Sequence, residues 1–270
     1  MQGSKAKVVE HLRAHITALE KRPLLYADPT AVTNSSAAGV LQTAPGLLHE
    51  VFTPERRNGG PLLGFALALA RDFLSPERPA VLFVQLTKDS SELGLPFGGG
   101  LSAFGFDPHS LVLIRVRTIV EFLWAMEEAI CCRAVAAVIG EVAIMPKLLD
   151  FTASRRLSLR AQAAGTSAFI LRYGREREAS ASTFRWEVHP QESAETPFDP
   201  RAPGAARWRV QMEKGVLQGG LGQKDWFLGW TENGLVAIER GASAHNGAGP
   251  QTAPHGPVPA TLADRLPQTA

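Results

Sequence analysis

Apolar and polar positions along the chain follow two periods in turn. Short runs rich in aliphatic and β-branched residues occur at 47–52 (LLHEVF), 80–86 (AVLFVQL), 111–116 (LVLIRV), 134–140 (AVAAVIG) and 167–173 (SAFILRY). Between most of them lie stretches whose apolar residues recur at helical spacing, at 61–74, 119–130 and 148–163. Strands alternating with helices predict an α/β fold: a mostly parallel sheet covered on both faces by helices. Two helix starts have a local cause. Thr118 stands three residues before Glu121, the capping-box spacing, and Ile119, Leu123, Met126 and Ile130 then line one side. Pro61 suits the first helical turn after Gly59 and Gly60, where a missing N–H costs nothing. The stretch 88–108, with PFGGG at 96–100, reads as a mobile loop with one short helical turn.

The flanks read differently. Residues 5–21 pattern as an amphipathic helix through Val8, Val9, Leu12, Ile16 and Leu19, and 27–46 as a polar linker of small residues. Beyond 174, strand-like runs fall at 182–188, 206–213, 225–230 and 235–239, with a hairpin signal, ENG, at 232–234. Trp226, Leu228 and Trp230 share one face of such a strand, and with Trp186 and Trp208 they read as core before interface. From 241 the chain is rich in Gly, Ala and Pro, and disorder is expected. The expected organisation is an N-terminal helix and linker (1–45), a domain over 46–240 with its α/β core to about 173 and a β-rich part after, and a tail (241–270).

Composition narrows the picture. Of 270 residues 45% are hydrophobic and 20% charged, which suits a globular domain, and a net charge of +2 does not imply nucleic-acid binding. No apolar run is long enough to span a bilayer as a helix and the first residues lack a signal-peptide core, so a cytoplasmic protein without membrane contact is expected. Cys131 and Cys132 are adjacent, a poor geometry for a disulfide and too few ligands for zinc, and are read as reduced thiols. His11 and His15 stand at i, i+4 without a third ligand, and His49 reads as a strand-end polar group. No metal site and no nucleophile are assigned.

Charge does collect locally. Between Phe151 and Arg185 there are seven arginines, at 155, 156, 160, 172, 175, 177 and 185, against Glu176 and Glu178. On the helix over 148–163, Leu149, Ala153, Leu157 and Ala161 form one stripe and Arg156 and Arg160 another. Arg155, Arg156, Arg160, Arg172, Arg175 and Arg177 are therefore candidate contacts to an acidic partner segment or a DNA backbone, with a protein partner favoured. An ordinary solvated face, partly neutralised by its own glutamates, is the competing reading.

The order of these parts over about 46–213 resembles the core of RecA-type recombinases. The blocks LLHEVF, GFALALARDF, GLSAFGFDPHSLVLIRVRTIVEFLWAMEEAI, AVAAVIGEV, LDFTASRRLSLRAQAAGTSAFILR and RWRVQMEKG, in that order, resemble the ImuA family, RecA-like accessory proteins of bacterial damage-induced mutagenesis. The resemblance implies a RecA-like domain and a role in translesion DNA synthesis under the SOS response. It implies as partners ImuB, an inactive Y-family-like polymerase homologue, and an error-prone C-family DNA polymerase, with RecA a further contact and DNA contact indirect or weak.

A RecA-type ATPase would hold nucleotide on the loop between the first strand and helix. A G-x-x-x-x-G-K-[ST] loop wraps phosphates in backbone N–H groups, neutralises them with lysine and ligates Mg²⁺ through its hydroxyl. Here TPERRNGGPLLG puts Thr53 at the first glycine, then Gly59 and Gly60, then Pro61 and Leu62 where lysine and the hydroxyl are needed. Arg56 and Arg57 sit too early to replace that lysine. Asp89 and Glu92 are loose candidates for the water-positioning acid. At the end of AVAAVIGEV, Gly140 aligns with the metal-holding acid, and Glu141, one place on, is expected on the other face. The loop and the strand end at Gly140 and Glu141 are thus expected to be vestigial, with no catalysis and no cofactor. An NTP-binding regulator of RecA, using Arg56, Arg57 and Glu141, and a SulA-like cell-division inhibitor are the alternatives.

Overall fold

Each of the five apolar runs forms a strand, and helices fill the intervals. The computed structural model describes residues 41–144, 146–194, 202–217, 224–231 and 234–239. Strand β1 (Leu48–Thr53) leads through a single 3-10 turn (Arg56–Asn58) into α1 (Gly59–Arg71) and β2 (Ala80–Leu86). Two short helices follow, α2 (Thr87–Leu93) and α3 (Gly98–Ala103), then β3 (Leu111–Val116), α4 (Ile119–Cys131), β4 (Val135–Val142), α5 (Phe151–Ala164) and β5 (Ser167–Tyr173). Strands β6 (Phe184–Gln191), β7 (Arg207–Lys214), β8 (Asp225–Thr231) and β9 (Gly234–Ala237) complete the domain.

Among the described residues nine strands form one sheet, ordered β3-β2-β4-β5-β1-β6-β7-β8-β9. The pairs from β3 to β6 are parallel, and β6 to β9 pair antiparallel. The β-rich part is therefore not a separate layer. It enters the sheet where β6 pairs in parallel with β1, His49 opposite Phe184, and continues it as a meander.

Alternation along the strands divides the interior in two. On one face Val51, Phe83, Ile139, Phe169 and Leu171 pack with Phe65 and Leu67 of α1 and with Trp186, Trp208, Trp226 and Trp230. On the other, Leu48, Val84, Val138 and Ile170 pack with Phe122 and Met126 of α4 and Leu157 of α5. The tryptophans expected in the core are there. Trp124, on the outer face of α4, is 66% exposed.

Local chemistry sets the helix ends. Thr118 Oγ1 accepts from the Glu121 N–H at 3.2 Å, and the Glu121 carboxylate accepts from the Arg117 N–H at 2.8 Å. Asp150 caps α5 by accepting from the Ala153 N–H at 2.8 Å, which starts that helix at Phe151 rather than at 148. Gly165, at φ +65°, ends it in the left-handed conformation that a side chain would disfavour. The stretch 88–108 differs from the expected loop: it holds α2, α3 and a 3-10 turn at Pro108–Ser110. Periodicity over so few residues is too short to register. The predicted helix 5–21, most of the linker 27–46, the turn residues 232–233 and the tail from 241 lie outside the described residues. Among the described residues no helix is long and apolar enough to cross a membrane.

Candidate functional site at the strand ends

The carboxyl ends of the parallel strands on the α1 face carry a row of polar side chains. Thr53 ends β1 and is paired with Tyr173 of β5. Glu141 of β4 lies opposite Leu171, two residues before Tyr173 and so on the same face, and opposite Gln85 of β2. The register brings four adjacent strands to one polar edge beside the first turn of α1.

Glu141 is the centre of that row. Its carboxylate accepts from the Tyr173 hydroxyl at 2.5 Å and from the Gln85 amide at 2.5 Å. Burial pushes its pKa up, and the two hydrogen bonds offset this only in part, while the charge of Asp89 adds to the rise. The Tyr173 hydroxyl is pushed up as well, by burial and by the neighbouring carboxylate. Asp89, buried in α2, accepts from the Ala143 N–H at 2.9 Å and ties α2 to the end of β4.

Gly140 and Glu141 are placed opposite to the alignment-based expectation. A Cβ on Gly140 would lie 2.6 Å from Phe122 and 2.7 Å from Met126 Sδ, so this position faces α4. Glu141 faces the loop. The alignment put the register one residue off, and in a strand one residue exchanges the faces.

The loop itself is short and self-bonded. Thr53 Oγ1 accepts from Asn58 Nδ2 at 3.1 Å, and the Asn58 N–H donates to the Glu55 carbonyl at 3.1 Å. Gly59 begins α1 in close quarters: a Cβ there would lie 3.0 Å from the Tyr173 hydroxyl and 4.0 Å from Glu141 Oε1. A helix N-terminus is an anion site by its N–H groups and dipole. Here the protein's own carboxylate stands next to that end, and Pro61 removes one N–H from the same turn. Arg56 is ion-paired with Glu92 and Arg57 with Glu55, so both candidate phosphate cations are held by glutamates at the surface. Beyond Glu141 opens a cavity of about 500 Å³, walled mainly by Leu67, Phe83, Leu101, Phe104 and Trp208. The Trp208 indole N–H donates to the Pro61 carbonyl at 2.9 Å, pinning this wall to the first turn of α1.

The arginines fall into two groups. On α5, Arg156 and Arg160 reach Glu127 of α4 at 3.0 and 3.2 Å, while Arg155 is exposed. The second group surrounds Glu50 and Phe52 of β1. Glu50 is buried and accepts from Arg172 at 3.0 Å, Arg185 at 2.9 Å, Ser180 at 2.6 Å and Ser182 at 3.0 Å. Burial opposes its ionisation, but the bonds from Ser180 and Arg185 and the charges of Arg172 and Arg185 outweigh that and hold the carboxyl below its ordinary value. Arg172, Arg177 and Arg185 place their guanidinium groups 4.8, 3.9 and 5.6 Å from the centre of the Phe52 ring. Arg172 also pairs with Glu178, and Arg177 with Glu187 and Glu213. Arg172 is thus part of the interior, and only Arg155 and Arg175 of the six candidates stand exposed without a charged partner among the contacts described.

His49 is not a strand-end group. It is fully buried in β1, stacked between Phe169 and Phe184, with Nδ1 accepting from the Trp186 indole at 3.3 Å and Nε2 unpartnered. Burial lowers its pKa from 6.5 to about 3. A base depressed in the folded state contributes stability above its unfolded pKa and loses it as pH falls. Between pH 7 and pH 5 the loss expected from His49 alone is about 2 kcal/mol. Denaturant unfolding across that range should show it, and His49→Phe should flatten the difference.

Glu50, Gln85 and Tyr173 belong to these clusters although no motif marks them in the sequence. The available signal was a charged or amide side chain inside an otherwise apolar strand run, which is costly unless partnered.

In sequence the chain is similar to Protein ImuA of Caulobacter vibrioides, in strain NA1000 / CB15N and in strain ATCC 19089 / CIP 103742 / CB 15 alike, with 31% identity over 170 residues. The match covers 59% of this chain and 65% of the relative, so the chain spans just under two thirds of that protein's length. No family model matches the sequence. The ImuA-like stretch falls within a chain whose sheet is continuous from β3 to β9.

Proposed function

We propose that this protein is a RecA-like accessory factor of damage-induced translesion DNA synthesis that does not turn over ATP. Its partners in this reading are an ImuB-type inactive polymerase homologue and, through it, an error-prone C-family polymerase. The similarity to Protein ImuA supports the setting. The observation that carries this reading is the loop before α1: Pro61 and Leu62 stand where lysine and the hydroxyl would be needed, and Arg56 and Arg57 are ion-paired with Glu92 and Glu55. Reconstitution tests the reading. The full chain should co-elute with an ImuB-type protein and, in its presence, with the C-family polymerase. Separate elution of all three at micromolar concentration would contradict it.

A second reading, an NTP-binding regulator of RecA, draws support from Glu141 facing the loop, where an acid could hold magnesium. It requires Tyr173 and Gln85 to release that carboxylate and Arg56 to leave Glu92.

A further inference from the structure

Glu141 is a buried carboxylate at a cavity wall with no cation on it. Its two hydrogen-bond donors, the Tyr173 hydroxyl and the Gln85 amide, are neutral. The charge that bears on it is that of another buried acid, Asp89. The same sheet treats Glu50 the opposite way, with two guanidinium groups on one buried carboxylate. A desolvated acid in a cleft, left without a charge partner, points to a ligand that supplies one.

Gln85 adds an unmet acceptor at the same end of the cavity. It is wholly buried, and its Nε2 donates to the Glu141 carboxylate at 2.5 Å and to the Gly94 carbonyl at 3.0 Å. Its Oε1 has no hydrogen-bond partner. Glu141 and Gly94 both line the cavity of about 500 Å³, whose other walls are leucine and aromatic side chains. Arg207 of β7 lines it too but is not among the charges that act on Glu141. The space is thus negative and rich in acceptors at one end, and apolar elsewhere.

The complement of such a space is a cation with an apolar body. We propose that this cavity binds a small organic cation, an ammonium or amidinium group on an aliphatic or aromatic body, with its charge on Glu141 and its body against Leu67, Phe104 and Trp208. Tyr173 donates to one oxygen of the carboxylate and Gln85 to the other, so lone pairs remain for a further donor without displacing either. A charge-assisted bond in this water-poor setting is stronger than the same bond at the surface, and aromatic faces suit a cation. Among the described residues no three metal-ligating side chains come together, so an inorganic cation is met less well than an organic one. The inference goes beyond the accessory-factor reading and does not rest on it.

Three probes of one shape test it: 4-phenylbutylamine, 4-phenylbutanol and 4-phenylbutyrate, each titrated calorimetrically into the full chain. The amine should bind about tenfold more tightly than the alcohol, and the carboxylate more weakly than either. Glu141→Gln keeps the side chain's shape and removes its charge. It should abolish the amine's advantage and leave the alcohol's affinity within about twofold, which also shows that the variant is folded. Gly60→Phe enters space where a Cβ meets nothing within 4 Å, and should weaken amine and alcohol together. No saturable binding of the amine, equal affinity for amine and alcohol, or an amine affinity unmoved by Glu141→Gln would overturn the proposal. Displacement of the amine by micromolar Mg²⁺ alone would overturn it as well, in favour of a metal site. Co-elution with an ImuB-type protein decides the accessory-factor reading whatever these titrations give.

Discussion

Arg172→Ala is expected to destabilise the fold by about 3–5 kcal/mol, since it takes from a buried carboxylate one of its two compensating guanidinium groups. The side chain is 4% exposed and bonds Glu50, itself 2% exposed, at the centre of the sheet. Strand register explains the geometry. Arg185 lies directly opposite Glu50 across β1 and β6, and Arg172, opposite Phe52 on β5, reaches it diagonally. With Arg172 gone, Arg185, Ser180 and Ser182 would still hold the carboxylate, so the loss should be smaller in an Arg172→Ala, Glu50→Gln double variant than the two single losses combined. Chemical denaturation of the four proteins in the cycle measures this. A single-variant loss under about 1 kcal/mol would mean that the pair behaves as a surface bridge.

The second large effect is at Gly140. Gly140→Ala is expected to cost about 1–3 kcal/mol, because its Cβ would enter the space of Phe122 and Met126. Gly140→Asp, the change that alignment suggests would restore a metal-holding acid, should cost more than the alanine variant and restore nothing. Its carboxylate would be driven into the apolar layer under α4, away from the loop, and a buried unpaired charge is worse than a buried methyl. Unfolding measurements order the variants, and a Mg²⁺ titration checks the second point. Gain of magnesium binding by Gly140→Asp would show that the assigned face is wrong.

Much of the fold could be read from the chain, and the reason is local. The runs AVLFVQL and SAFILRY became strands with the same limits, and Thr118 starts its helix through a hydrogen bond to a residue three positions away. The site was less legible because its interactions join residues far apart. Glu50 and Arg172 are 122 positions apart, and nothing in a count of seven arginines tells which meet buried acids and which meet water. A local charge excess therefore read as a face, where the structure has one interior cluster and one set of helix-surface pairs. The face of Glu141 turned on a single residue of register, which only the pairing with Gln85 and Leu171 fixes. His49 was misplaced because its stacking partners, Phe169 and Phe184, come from the two strands that flank β1. Pairwise neighbours across a sheet are a property of topology, not of local pattern.

The proposed loss of ATP turnover rests on a loop with Pro61 and Leu62 in place of lysine and hydroxyl and with Arg56 and Arg57 paired to glutamates. Equilibrium titration of the full chain with a fluorescent ATP analogue and Mg²⁺ tests it most directly. No saturable binding is predicted up to millimolar nucleotide. Saturable, Mg²⁺-dependent binding in the micromolar range that disappears in Glu141→Gln would contradict it, because Glu141 would then be holding the metal of a working nucleotide site.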